Sequence, residues 1–450
     1  MSIEIIALIG LVAVFAISAL RNVHMGALAL VFSFIVGIFV VGEGLEDVLG
    51  GFPVDALIIL LGITYLFGLA HETGTIDWLV DRSLALIGDR VALLPWGLWA
   101  VATLVACLGT SHAAFAVVPI AMSLAHSHRI NSTMMGIAMS SAIVGGALAP
   151  TSIVGITVMS VARSADIPYN PGLMFALSIG INALVVAVAF FLFGGRELLG
   201  RARAADATRT SGSDSATGSG DGSGGGGVAV AQHVEAPATT ERAPLAAMQL
   251  LVLVSIPLLV ISFFLLTLAE VDINLGVVAL TIAVVIALID PTIGKTAMKR
   301  IDWSTILLLG GIITYVGVLT RLGAIDQLGE AARSVSSPLI AALVICVVGA
   351  LVSAFASTIG IIGALVPLAV PLLVPGGGLE MTGFIYALAI SASLVDCAPF
   401  GTTGATIVAS TVEEHRATVN RNLTRWGLSM VIIGPVVTLA TMVVPFAVAG

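Results

Sequence analysis

The sequence predicts an all-α polytopic membrane protein made of two inverted-topology repeats, each of five transmembrane helices plus a re-entrant helical hairpin, with broken helices at the bilayer midplane. Three observations predict it. The 450 residues are 58% hydrophobic and only 10% charged, with a mean hydropathy of +1.13, whereas roughly a quarter of an ordinary soluble domain is charged. Apolar runs close to the roughly 20 residues that cross a hydrocarbon core recur along the chain, and several longer runs carry glycine, proline and hydroxyl residues in their interiors. The breakers of the second half repeat those of the first at an offset of 248 or 249 positions.

In chain order, 5–20 is the first span. Glu4 precedes it and Arg21 follows, the reverse of a signal peptide, so it is expected to remain as a helix with its N-terminus outside. Spans at 25–41 and 54–70 follow, then a polar connection over 71–90. The run 91–124 is too long for one helix and is interrupted by Gly109, Thr110, Ser111 and His112; its two arms barely cross, so a re-entrant hairpin is expected. The run 133–162 holds Gly145–Gly146 and Ala149–Pro150–Thr151–Ser152 in its interior and reads as a broken helix, and 173–193 closes the half.

Residues 194–244 change character, with serine and aspartate among glycines and then four consecutive glycines, the composition of a flexible solvated linker. The apolar pattern restarts at 245–268, 273–289 and 303–319. A second hairpin is expected over 339–373, broken at Ser357–Thr358–Ile359–Gly360, a second broken helix over 383–409, and a last span over 423–447. The domain reading is therefore 1–193, linker 194–244, and 245–450.

Adding 249 maps Gly62 onto Gly311, Gly68 onto Gly317, Ala149–Pro150 onto Ala398–Pro399 and Gly155 onto Gly404; adding 248 maps Thr110 onto Thr358 and Pro119 onto Pro367. Helix breakers matched at the same points of the same segment order indicate a duplication. Five crossings per half is odd, so the halves are inverted. Threading the chain this way leaves only Arg163, Arg321 and Arg333 of the 18 Lys and Arg on one face, which makes the other face and the linker cytoplasmic and puts both termini outside.

Inverted repeats with paired breaks form a transporter pattern. At each break a new helix starts near the midplane, and its free N–H groups and positive dipole end suit an anion. The side chains beside those starts are the candidate substrate contacts: Thr110, Ser111 and His112; Thr151 and Ser152; Ser357 and Thr358; Thr402 and Thr403. Such hydroxyls also cap helix starts whether or not a ligand binds. Neither the hairpins nor the broken helices hold Lys or Arg at depth, so dipoles, hydroxyls and a co-bound cation would neutralise the anion.

A central charge costs about 2.5–3.5 kcal/mol on insertion scales, so Asp396 is either the coupling carboxylate or a cap for its break. With backbone at Gly109, Pro150 and Pro399 it forms the candidate cation-coupling set for Na⁺ or H⁺, with the Na⁺ ligands left open. Cys107, Cys346 and Cys397 lack ligand spacing and read as packed thiols. The net charge of −8 comes with no basic surface, so no nucleic-acid partner is expected.

Segment order and hairpin tips resemble the ion transporter superfamily, which includes the divalent anion/sodium symporters. Relatives there carry Ser-Asn-Thr at both tips, with a proline eight residues after the threonine. Counting back from Pro119 and Pro367 puts that motif on Gly109–Thr110–Ser111 and Ser357–Thr358–Ile359. Neither tip has the asparagine, and Ile359 stands where the second threonine belongs. Asp396–Cys397–Ala398–Pro399–Phe400–Gly401–Thr402–Thr403–Gly404–Ala405 is similar to the MatC-like malonate carrier branch. The resemblance implies elevator-type transport of a C3 or C4 dicarboxylate such as malonate or succinate with Na⁺ or H⁺, no other cofactor, a homodimer, and a prokaryotic plasma membrane. A cation/proton antiporter or an oxyanion exporter of the same superfamily is the alternative. An intramembrane enzyme is disfavoured by the lack of a His-Glu-x-x-His helix, a nucleophile elbow or paired intramembrane aspartates.

Overall fold

The computed structural model describes residues 3–21, 23–79, 82, 91–107, 113–200, 246–268, 274–324, 338–354, 358–373 and 381–443. Every regular element among them is helical. Five helices are long and apolar enough to cross a membrane, at Val54–Glu72, Pro171–Leu192, Trp303–Arg321, Met381–Ser410 and Glu413–Met442, with shorter apolar helices between them. The chain is an integral membrane protein.

The first half opens with α1 (Ile3–Arg21) and α2 (Met25–Phe34). His24 caps α2 by accepting from the Ala27 N–H, and the helix runs on as a π-helical stretch, Ile35–Val41. That stretch ends at Gly42, whose φ of 84° only glycine adopts without strain. A short α3 (Leu45–Gly50) leads to α4 (Val54–Glu72). Next come α5 (Leu94–Cys107) and α6 (Ala113–Ser127), then α7 (Ser132–Ala147), α8 (Ile153–Ser164) and α9 (Pro171–Leu192).

The second half holds α10 (Ala247–Leu268), α11 (Leu275–Ile289), α12 (Pro291–Met298), α13 (Trp303–Arg321), α14 (Pro338–Ser353), α15 (Thr358–Leu373) and α16 (Met381–Leu394). α16 tightens into a 3₁₀ turn, Val395–Cys397, before α17 (Thr402–Ser410) and α18 (Glu413–Met442). Asp290 accepts from the Thr292 and Ile293 N–H groups and Pro291 fills the first helical position, which is why α12 starts where it does.

Packing crosses between the halves. α2 lies on α13, and α4 lies on α11. Both crossings are backbone against backbone. A Cβ on Gly62 would fall on the Gly276 carbonyl oxygen, and one on Gly311 would fall on that of Gly26. Small residues allow this close approach, the usual device for apolar helices that gain little from hydrophobicity in lipid. Arg321, at the end of α13, donates from Nε and Nη2 to the two Glu43 carboxylate oxygens at 2.8 and 2.9 Å; Arg300 donates from Nε to Glu72, at the end of α4, at 2.8 Å.

The remaining elements gather around α7 and α16. α7 packs with α5 and α9, and α16 packs with α14 and α18. α7 is buried from Ser132 to Gly146 and α16 from Gly383 to Leu394. A helix apolar on all sides belongs inside, enclosed by protein, and both buried helices stop at the same kind of sequence: Leu148–Ala149–Pro150–Thr151–Ser152 after α7, and Ala398–Pro399–Phe400–Gly401 after the 3₁₀ turn.

Candidate functional site

The two breaks share a backbone device. A Cβ on Gly155 would strike the Ala149 carbonyl oxygen, and one on Gly404 would strike that of Ala398. Each new helix therefore folds back over the alanine before the proline, and only glycine leaves room for that carbonyl. Gly427 of α18 makes the second break fit its neighbour in the same way: a Cβ there would come within 2.7 Å of the Ala398 Cβ.

At the first break, the Thr151 hydroxyl donates to the Cys107 carbonyl at 2.7 Å, tying the break to the end of α5. The Ser152 hydroxyl donates to the Ala147 carbonyl, closing the end of α7 onto the start of α8. Both protons are committed to main-chain carbonyls. What these two side chains offer an incoming ligand is oxygen lone pairs, a chemistry that suits a cation better than an anion.

At the second break, Asp396 sits in the 3₁₀ turn, which packs on α7, α14 and α18. It is the only charged residue between 381 and 410, and it forms no ion pair among the described residues. The Thr358 hydroxyl donates to its Oδ1 at 3.2 Å, with Oδ2 at 3.5 Å. Thr358 also opens α15, so the carboxylate lies at that helix's positive end. Because the single Thr358 proton goes to Asp396, Ser353 Oγ, 2.8 Å from Thr358 Oγ1, is the donor in that pair.

Thr402 is exposed at the first turn of α17, its carbonyl accepting from Thr406 Oγ1 at 2.8 Å. Thr403, beside it, is buried. Pro150 and Pro399 lie within the breaks. Gly109, Thr110, Ser111, His112 and Ser357 lie outside the described residues, as does the linker from 201 onward. Of the sequence candidates, the fold brings Asp396 and Thr358 into direct contact and joins Thr151 to the carbonyl that closes α5.

Residues 1–147 match the family described as the dicarboxylate carrier protein MatC N-terminus. That stretch, about a third of the chain, is what is similar to the MatC carriers. No curated protein matches the chain in sequence. A solved structure, the Alcanivorax borkumensis YdaH transporter, is similar over 87% of this chain and 86% of its own, at 15% identity and a TM-score of 0.55. At that identity the likeness is one of fold.

Ser353 was not among the candidates read from the sequence. The only signal for it was a polar residue at the end of an otherwise apolar run. Cys107 was missed as well, because its contribution is a main-chain carbonyl, which no residue pattern marks.

Proposed function

We propose that the protein is a secondary active transporter for an organic anion, a C3 or C4 dicarboxylate such as malonate or succinate, coupled to Na⁺ or H⁺. The observation that carries this is the seating of Asp396 against Thr358 at the start of α15. Without a cation, the carboxylate occupies the donor and dipole that a substrate anion needs. A cation on Asp396 cancels its charge and makes those groups attractive to the substrate. Binding of either partner then favours the other by the same factor, which is the thermodynamic content of coupling. The carrier family and the fold support transport over intramembrane catalysis.

The two halves are read as inverted repeats. Equivalent contacts at positions 249 apart support this: Gly62 and Gly311 at the crossings, Gly155 and Gly404 at the breaks. α5–α6 and α14–α15 are read as the paired hairpins. The packing also supports a moving body. α15 lies on α13 and α8 on α4, whereas α6 and α17, their counterparts, have no comparable packing on α4 and α13 among the described residues. Exchanging those contacts between the halves generates the opposite state. With the second hairpin on the outer side, this conformation is closed outside and open to the cytoplasm, in an elevator-type cycle. The same carboxylate geometry serves a cation/proton antiporter, so the test must include substrate.

Purified protein in proteoliposomes should take up labelled malonate or succinate only when a Na⁺ or proton gradient is imposed. Cation movement without uptake of either acid selects the antiporter, and neither movement removes the transport reading. Cysteines at Ser111 and Thr358 should label from opposite sides of the membrane; labelling from one side refutes the inversion.

A further inference from the structure

The connection between α6 and α7, the end of α9 and the start of α18 line an open cavity of about 1040 Å³. It is not the site at the breaks. α7 runs the 16 residues Ser132–Ala147 from this cavity to the first break, about 24 Å at 1.5 Å per residue. His126, Arg129, Asn131, Glu197, His415 and Asn422 give it a polar lining. His126 comes from the last turn of α6 and His415 from the first turn of α18. Their exposed rings meet edge to face, with centroids 6.4 Å apart and planes at 61°.

The walls are held by their own bonds. The Ile130 N–H donates to the Ala125 carbonyl at 2.7 Å and the Arg129 N–H to that of His126 at 3.1 Å, with Arg129 in the left-handed region at φ 54°. The Asn131 side-chain Oδ1 accepts from the Thr133 N–H at 2.9 Å and the Met134 N–H at 3.2 Å, capping α7, and the Asn422 side-chain amide donates to Thr133 Oγ1 at 3.1 Å.

Charge decides what such a cavity holds. With both imidazoles neutral, the lining charges of Arg129 and Glu197 cancel. With both protonated, the lining carries two positive charges in excess, and two adjacent imidazolium rings repel unless an anion lies between them. Other charges stand nearby on the same elements but do not line the cavity: His128 beside Arg129, Glu413 and Glu414 before His415, and Arg416, whose guanidinium donates to the Thr411 carbonyl at 3.3 Å.

We propose that this cavity is a second anion site, which takes a small anion with carboxylate or phosphate oxygens between His126 and His415 when both rings are protonated. Bound there, the anion ties the hairpin arm α6 to α18, which packs on α16, so occupancy restrains the element next to the first tip. Only the assignment of this face to the cytoplasm rests on the proposed function; the binding chemistry does not.

Thermal unfolding of the purified full chain, titrated with inorganic phosphate and separately with malonate at pH 6 and pH 8 at constant ionic strength, tests this. Each anion should raise the midpoint at pH 6 by mass action. Its apparent affinity should fall at least about tenfold by pH 8, because raising the pH removes the imidazolium charge that holds the anion. The variant H126Q/H415Q should lose about tenfold in phosphate affinity at pH 6, and Thr358→Val at the breaks should lose none. The single variant H415Q, at an exposed position, should show the same direction should the double variant fold poorly. No stabilisation at pH 6, equal affinity at both pH values, an unaffected histidine variant, or loss in Thr358→Val alone would each overturn the proposal. Failed uptake with intact phosphate binding refutes the transport reading only; failed binding with intact uptake refutes this site only.

Discussion

Replacing Thr358 by Val keeps the size and branching of the side chain but deletes the hydroxyl that donates to Asp396 at 3.2 Å and pairs with Ser353 at 2.8 Å. A hydrogen bond to a charged group contributes about 1.5–3 kcal/mol. In the proposed cycle that bond stabilises the cation-free carboxylate, so its loss destabilises the bare state by this amount and leaves the cation-bound state less affected. At about 1.4 kcal/mol per factor of ten, the cation should bind roughly ten- to a hundredfold more tightly. Uptake should slow, because a tightly held cation is released reluctantly. The assay is the half-saturating Na⁺ concentration, or the apparent proton affinity, of dicarboxylate uptake in proteoliposomes. Thr358→Ser, which keeps the hydroxyl, should behave as wild type. An unchanged or weakened cation affinity in Thr358→Val would refute the assignment of Thr358 as the partner of the bare carboxylate. Ser353→Ala, one bond further away, should move the same parameter in the same direction by less.

Other outcomes follow from the same geometry. Asp396→Asn keeps the shape and an acceptor for Thr358, so folded yield by size-exclusion chromatography should be retained while the cation dependence of uptake disappears; retained dependence would remove Asp396 from coupling. Gly62→Ala and Gly311→Ala drive a methyl into backbone carbonyls at the two crossings, so each should cost at least about 1–3 kcal/mol in thermal or denaturant stability. Gly180→Ala meets nothing within 4 Å and should be neutral or gain up to about 1 kcal/mol as a helix-interior glycine replaced by alanine. Arg321→Glu should lower the unfolding midpoint by opposing Glu43, and the added change Glu43→Arg should restore most of it, because the pair is two-pronged and joins α13 to the turn after α2.

Much of this molecule is local and therefore legible in the residue order. Lipid demands that a spanning segment satisfy its backbone internally, so the runs at 54–70 and 303–319 announce helices by composition alone, and they are found as Val54–Glu72 and Trp303–Arg321. Proline and glycine interrupt a helix wherever it sits, so Pro150 with Gly155 and Pro399 with Gly404 mark their stretches without reference to anything else. A lone aspartate in an apolar run has to be explained by some partner or function, which is why Asp396 stood out. The short helices α3 and α12 were not legible. Six and eight residues are too few for a periodic pattern, and they form because of local caps at Asp47 and Asp290.

What only the tertiary structure decided is which carbonyl each glycine approaches and which partner each hydroxyl takes. Gly62 and Gly276 are more than two hundred positions apart, and no pattern in either segment says that their backbones touch; that follows from how α4 and α11 cross. Thr151 and Ser152 read as anion donors in the sequence, but packing commits their protons to the carbonyls of Cys107 and Ala147. The sequence by itself determined the membrane character, the interrupted helices and the isolated carboxylate, because each depends on covalently near residues and on the solvent. The fold decided that the carboxylate rests on the first residue of α15 and that α15 packs on α13. Those are relations between distant segments, and only packing supplies them.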